Sequence, residues 1–503
     1  MHAYFSTPQQ NTNVNYGIGW GGHQKWYLIQ MTPGTITAST PFKIMNVETG
    51  MYLEAPNATS GSLVMQNSSH PFPSEIWYFN PVAGQSYYYI KNANGLVLTN
   101  QGGSTTDGTP ITEETLTNTT KQYWNLTAMN PEAYRDDAVV GFFRRGKVTN
   151  TTVAFDQGNS IPLAYGGNNG KVLWITQDAD GWDRMLMDGY MDCNHWSYHN
   201  SALLQPSITN WSSASTPNIT TTSNTGTGIN QLEIIKDPIT GNRSTYCWPA
   251  FGVEINSDVY VWTWEASYDG SVANNQVLNK IAQNTSGTNW GAVTRLTPAG
   301  MSGQSTIIYS SGMVKKPALD TVYVWGTKSV FFNTCIVFLA RYPLSNPTNW
   351  SYWRGNTWAS TPDLTGTNLG QITVGSGVGV QQNVSVSYVN GKYVMMQMDQ
   401  GFFCDPGSHG IYISTSSSPK GPFTAPQLVY TIEDKFNGHL AKYYTGIIHP
   451  EFVNGKNELL ITYALNYNAD GGSCSTQICF SGKVDPNFYQ VKAIRVPYSL
   501  IGI

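Results

Sequence analysis

The apolar residues of this chain fall in short runs, entered through Gly, Asn or Asp and left through polar residues. Five of these runs resemble one another: GKVLWITQD (170–178), SDVYVWTWEAS (257–267), DTVYVWGTK (320–328), NGKYVMMQMD (390–399) and GKNELLITYAL (455–465). They return every 60–90 residues or so. A run of β-branched and aromatic residues bounded by turn formers reads as a buried strand. Five units, each with room for four strands, predict a five-bladed β-propeller. The competing arrangement, a pair of β-sandwiches, predicts evenly short strands without long variable inserts.

An earlier repeat precedes these. HQKWYLI around Trp26, SEIWYFN around Trp77 and KQYWNLT around Trp124 are spaced by about 50 residues. The phrases KIMNVETGMYLEAPN (43–57) and YIKNANGLVLTNQ (89–101) each read as a strand, a tight turn and a second strand. This region resembles the ricin B-type β-trefoil lectins, in which the repeated tryptophan packs in a shared core and sugar pockets lie beside each hairpin. The resemblance implies carbohydrate binding. It places Glu54 and Asn100, which follow the leucines of the two hairpins, near the family's sugar-binding positions, with Asp107 as a further candidate. The expected class is all-β: a β-trefoil over 1–130, a linker over 131–150 where PEAYRDDAVVGFFRRGKVTN changes the composition, and a five-bladed propeller over 151–503.

Composition narrows the partners. Charged residues are 12% of the chain and the net charge is −4, with no basic run. Phosphate binding needs clustered Lys and Arg, so nucleic acid is excluded as an expected partner. No apolar stretch approaches the roughly 20 residues of a membrane span. The opening MHAYFSTPQQ lacks a basic segment followed by an apolar core. The Asn-, Thr- and aromatic-rich composition leads to the expectation of a secreted, monomeric protein whose signal segment is not part of this sequence. Six cysteines in so long a chain are no disulfide framework. Cys474 and Cys479 lie close together in GGSCSTQICF, whereas Cys193, Cys247, Cys335 and Cys404 are scattered. His195 and His199 have the i, i+4 spacing of zinc hydrolases, but Trp196 stands where those enzymes need Glu. No metal and no cofactor is expected.

Two apolar runs in succession end on an acid, Asp156 and Asp178. At the hub of a propeller, such strand-end acids meet although they are distant in sequence. The phrases AFDQGNSIPL, VLWITQD, HNSALLQ (199–205), VYVWGT (322–327), ARYPLSNPTNWSYW (340–353), ISTSSSPKGPFTAPQLVY (413–430) and YYTGIIHPEF (443–452) follow one another in a familiar order. Residues 150–500 resemble a family of five-bladed propellers first catalogued as domains of unknown function. That family includes glycoside hydrolases cutting D-arabinan internally, the endo-D-arabinanases. The sequence departs from the pattern in a longer first loop and in Gln177, which precedes the acid where better-known members have Gly.

The resemblance implies a glycoside hydrolase acting on a polysaccharide. Such chemistry needs one carboxyl to protonate the leaving oxygen and a second to attack or to activate water, about 5–5.5 Å apart for retention and about 6.5–9.5 Å for inversion. Asp156 is expected as nucleophile or base and Asp178 as acid, an assignment that is open to exchange. Glu265, at the end of the second blade's strand, and Glu233 are further carboxylate candidates, and Asp405 and Glu451 are others. His449 and His409 are candidates to hold a sugar hydroxyl or tune an acid, Asn200 to bind a hydroxyl, and Trp182, Trp248 and Trp262 to stack on sugar rings. The alternative is a non-catalytic double carbohydrate-binding protein. A lyase acting on acidic glycans would need a cationic pocket, for which only Arg184, Arg243 and Lys328 are near.

Overall fold

The structure is a computed structural model. It describes residues 2–4, 7–9, 25–31, 35–46, 51–67, 73–106, 108–126, 132–193, 196–224, 228–239, 244–331, 333–399, 401, 409–436, 439–466, 482–484, 486 and 489–503. The chain divides into two compact units, Met1–Ala138 and Val139–Ile503.

The first unit is a β-trefoil. Trp77 is fully buried and shares a core with Leu53, Leu98, Ile90 and Ile111, against which Trp26 and Trp124 pack. The repeat is chemical as well as apolar. The indole N–H of Trp77 donates to the carbonyl of Leu53 at 2.9 Å, and that of Trp124 to the carbonyl of Leu98 at 2.9 Å. Each tryptophan thus pins the hairpin before it, and its polar atom is satisfied inside the core.

The second unit is a five-bladed propeller. Its inner strands are Asn159–Pro162, Thr245–Ile255, Met313–Lys316, Asn383–Val389 and Tyr443–His449, and each touches the next around a closed ring. Every blade is an antiparallel sheet built outward from that strand. The five repeated phrases form the second strand of each blade, not the innermost. The reason is packing. A second strand is covered by neighbouring blades on both faces and so reads as a near-continuous apolar run, whereas an inner strand borders the axis and mixes polar residues in. The blades are glued by apolar layers. One runs between blades one and two around Ile161, Leu173, Cys247 and Val259. Others lie between blades two and three around Trp262, Tyr309 and Trp350, and between three and four around Trp325, Tyr393 and Phe423.

The segment 131–150, where a linker was expected, is not a free connector. Val139, Val140, Phe142 and Phe143 of the helix Asp137–Phe143 are buried with Trp174, Phe452 and Leu460 between blades five and one. Four apolar residues within one and a half turns are too sticky for a solvated tether. Arg145 is buried just beyond, donating to the carbonyls of Thr152 and Thr216, both at 2.8 Å.

Cys247 and Cys335 are buried free thiols, and Cys193 is disulfide-bonded. No helix is long and apolar enough to cross a membrane among the described residues.

Candidate active site

Blade one differs from the others at one level. Its three strands run as two short sheets in succession. Thr152–Phe155, Ala179–Gly181 and Trp196–Tyr198 form one, and Asn159–Pro162, Val172–Thr176 and Ser201–Gln205 form the other. The interruption falls at Asp156–Gly158, Gln177–Asp178 and His199–Asn200, so all three strands break side by side. Interruptions of this kind re-aim side chains that a regular pleat would alternate.

The break puts the two acids together. The backbone N–H of Asp156 donates to the carbonyl of Asp178 at 3.1 Å, continuing the register that pairs Phe155 with Ala179. The N–H of Gln177 donates to the carbonyl of Asp156 at 3.2 Å, so Asp156 lies opposite both Gln177 and Asp178. Asp156 is 6% exposed. Tyr444, on the inner strand of blade five, donates its hydroxyl to Oδ2, and Tyr489 adds a second hydrogen bond. Oδ1 of Asp156 has no partner among the described residues. Burial pushes the Asp156 carboxyl well above its ordinary range, the nearby charge of Asp178 pushes the same way, and the two tyrosines oppose both. Asp178 is only half-buried and accepts a 2.7 Å hydrogen bond from the indole N–H of Trp248.

A cavity of about 280 Å³ lies on the axis beside this pair. All five blades contribute to its wall, among them Gln157, Gln177, Trp248, Ser311, Asn383 and Thr445. The acids adjoin it through their chain neighbours Gln157 and Gln177. Gln157 and Thr445, which follow Asp156 and Tyr444, both hold left-handed backbone at φ 42° and 48°. Non-glycine residues kept there cost of order 1–3 kcal/mol each, strain that clusters at functional sites. The indole N–H of Trp262, also on the wall, lacks a partner among the described residues. Among the described residues no lysine or arginine belongs to the wall; Arg243, one of the three cations a lyase reading would use, lies outside them. From Asp178 an aromatic ladder leads outward. Trp248 stacks on Tyr246 at 4.1 Å, and Tyr246 meets Tyr268 at 4.7 Å, which is 67% exposed.

Several expected site residues stand elsewhere. Asn200 is fully buried, with hydrogen bonds to the carbonyls of Ile235 and Cys247 and from the N–H groups of Ile234 and Ile235, which leave nothing for a sugar. Trp182 packs against Val153, Met185, Met191 and Val484 and does not border the cavity. Glu265 is held in a two-pronged pair by Arg295, at 2.8 and 2.6 Å. His449 is buried between Ser160 and Thr462, its ring 5.0 Å from that of Trp174. Burial holds its pKa down at about 3, with Arg495 adding to the effect. Glu451 is tucked beside Ser160, and desolvation raises its carboxyl to about 7. His449 and Glu451 close the seam between blades, so neither reaches the axis. His409 bonds the carbonyl of Ile432 at 2.9 Å. In the trefoil, Glu54 accepts from Ser74 at 3.0 Å and Asn100 donates to the carbonyl of Ser104 at 2.7 Å. Asp107 and Asp405 lie outside the described residues.

Sequence reasoning missed Tyr444, Tyr489, Gln157, Asn383 and Thr445. It also passed over Asp399, which ends the phrase NGKYVMMQMD as Asp178 ends its own. Asp399 is 5% exposed and accepts from the hydroxyl of Tyr443 at 2.5 Å. The strand-end acid pattern was the signal available for it.

Fold and site define a two-unit all-β chain whose propeller carries two neighbouring acids beside an axial cavity. The chain belongs to the family described as a domain of unknown function, DUF5005, which residues 136–494 match. Residues 22–112 and 73–135 match the ricin-type β-trefoil lectin domain-like family. Among solved structures the chain is similar to ThreeFoil, a designed three-fold symmetric protein, at 23% identity over 23% of this chain and 79% of that one, TM-score 0.20. It is similar to Bacillus subtilis levansucrase at 11% identity over 64% and 81% of the two chains, TM-score 0.39. It is also similar to an exo-1,5-α-L-arabinanase from a bovine ruminal metagenomic library, at 9% identity over 69% and 93%, TM-score 0.35. No curated protein matches the chain.

Proposed function

We propose that the protein is a secreted glycoside hydrolase that cleaves a polysaccharide, arabinan being the first substrate to try, and that its trefoil holds it on the glycan. The observation that carries this reading is the pair Asp156–Asp178, one carboxyl buried and one reachable, facing each other across the break in blade one. Like charges so close do not both ionise easily, so the pair shares a proton. The environments support one assignment of it. Asp156 keeps the proton because it is buried, and serves as the acid; Asp178, with its indole donor, is the ionised base or nucleophile. These roles reverse the order first expected. Trp248 on the cavity wall and the exposed Tyr268 offer flat faces for sugar rings, with the buried Tyr246 packed between them. The disulfide at Cys193 supports an oxidising compartment. A trefoil bound to the same polymer raises the local concentration of cleavable bonds.

The test is release of reducing sugar from a panel of D- and L-arabinans and galactans. The wild type should act on at least one, and Asp156→Asn and Asp178→Asn should not. A chain that binds these glycans with no cleavage at all, in wild type and variants alike, is instead the double carbohydrate-binding protein.

A further inference from the structure

One more group of converging side chains lies away from the acid pair. His199, Glu233 and Asp237 each present a ligand atom, and these atoms all lie within 4.8 Å of one another. Sequence spacing pairs His199 with His195, whereas the fold brings to it acids from more than 30 residues downstream. The ring Nδ1 of His199 is 2.9 Å from Oδ2 of Asp237. The His199 side chain is 2% exposed, and those of Glu233 and Asp237 are 14% exposed.

The donors are held from behind. Asn200, the residue after His199, accepts from the N–H groups of Ile234 and Ile235 at 3.1 and 2.9 Å and donates to the carbonyl of Ile235 at 2.7 Å. It thereby fixes the peptides between Glu233 and Asp237 relative to the imidazole. Asn224 donates to the carbonyl of Glu233 at 2.6 Å. A rigid second layer of this kind is what orients metal ligands. Charge points the same way. Two carboxylates face one imidazole, and among the described residues the nearest cation is Lys236, which lies 3.7 Å from Glu233 with its side chain 35% exposed. Two half-buried acids on one imidazole, with a single partly solvated lysine at 3.7 Å among the described residues, favour a cation between them.

We propose that His199, Glu233 and Asp237 bind one divalent cation of the zinc or manganese class. One imidazole nitrogen and two carboxylate oxygens suit such ions. Calcium takes six to eight oxygens and prefers no imidazole. The ion ties the strand beginning at Ser201 to the segment 228–239, which leads into blade two. The His199 ring is 5.9 Å from Tyr246, which stacks on Trp248, the donor to Asp178. Its role is therefore to hold the wall of the acid site in place, apart from the reaction.

Chelator-stripped full-length protein, titrated calorimetrically with zinc sulfate, manganese chloride and calcium chloride, tests this without any substrate. The expected result is one equivalent of zinc or manganese bound, no comparable calcium binding, and a rise in Tm with the ion. His199→Gln and Asp237→Asn should each weaken binding tenfold or more. Lys236→Ala should leave it unchanged or tighter, since a competing cation is gone. If His199→Gln does not fold, Asp237→Asn carries the test. Absence of saturable uptake would show an ion pair only and overturn the proposal, as would binding that both variants retain or that calcium matches.

Discussion

The seam between blades one and five buries polar groups at two places, roughly 15 Å apart along the strands. At one, Asp156 meets Tyr444; at the other, Ser160 meets His449, with Glu451 beside it. Both are desolvated, and both shift the pKa of an acid upward. They differ in what lies next to them. The His449 end is closed by Trp174 and Phe452. The Asp156 end has a like-charged neighbour, an oxygen without a partner among the described residues, and a cavity beside it. A perturbed acid is a sign of function only where a reactant can approach it. The closed end is a blade-to-blade fastener built from the same residue types.

The largest effects are expected at the acids themselves. Asp178→Asn and Asp156→Asn should each lower hydrolysis about a thousandfold or more while the protein still unfolds cooperatively. Retained activity in either would remove that residue from the chemistry. Tyr444→Phe comes next. It deletes a hydrogen bond that lowers the Asp156 pKa, so the alkaline limb of the rate profile should move to higher pH, with kcat down about tenfold. An unmoved limb would uncouple Tyr444 from the acid.

The closed end should answer in stability. In the folded protein Glu451 titrates at about 7, above its ordinary value. The folded state therefore holds its proton longer, and stability is lost as pH rises from the unfolded value to about 7. Glu451→Gln should match the wild type near pH 4 and exceed it by roughly 1–3 kcal/mol at pH 8 in urea denaturation, with turnover intact. A variant less stable at pH 8 would show that the carboxylate has an attractive partner. Trp182→Phe, at a residue packed away from the cavity, should change KM less than about twofold.

Much of this architecture was legible from periodicity. The tryptophan repeat located the trefoil core, and the five apolar phrases located the blades because every second strand is enclosed on both faces. Asp156 and Asp178 were legible because each ends such a run. Their partners were not. Tyr444 is 288 residues from Asp156 and stands in YYTGIIHPEF, where its histidine drew the eye. Only closing the ring brings them together. Asn200, Glu265, His449 and Glu451 are candidates by residue type, and type does not reveal which neighbour holds the side chain away from the axis. The helix in 137–143 was hidden by the charged residues on either side of it.

Carboxyl carbon NMR of protein labelled at aspartate, followed from acid to alkaline pH, tests the shared proton directly. In the wild type, Asp156 should titrate far above an ordinary aspartate and Asp178 should show a two-step curve. In Asp178→Asn the Asp156 transition should fall, because the opposing charge is gone. Two independent transitions near pH 4, unaffected by that substitution, would contradict the account.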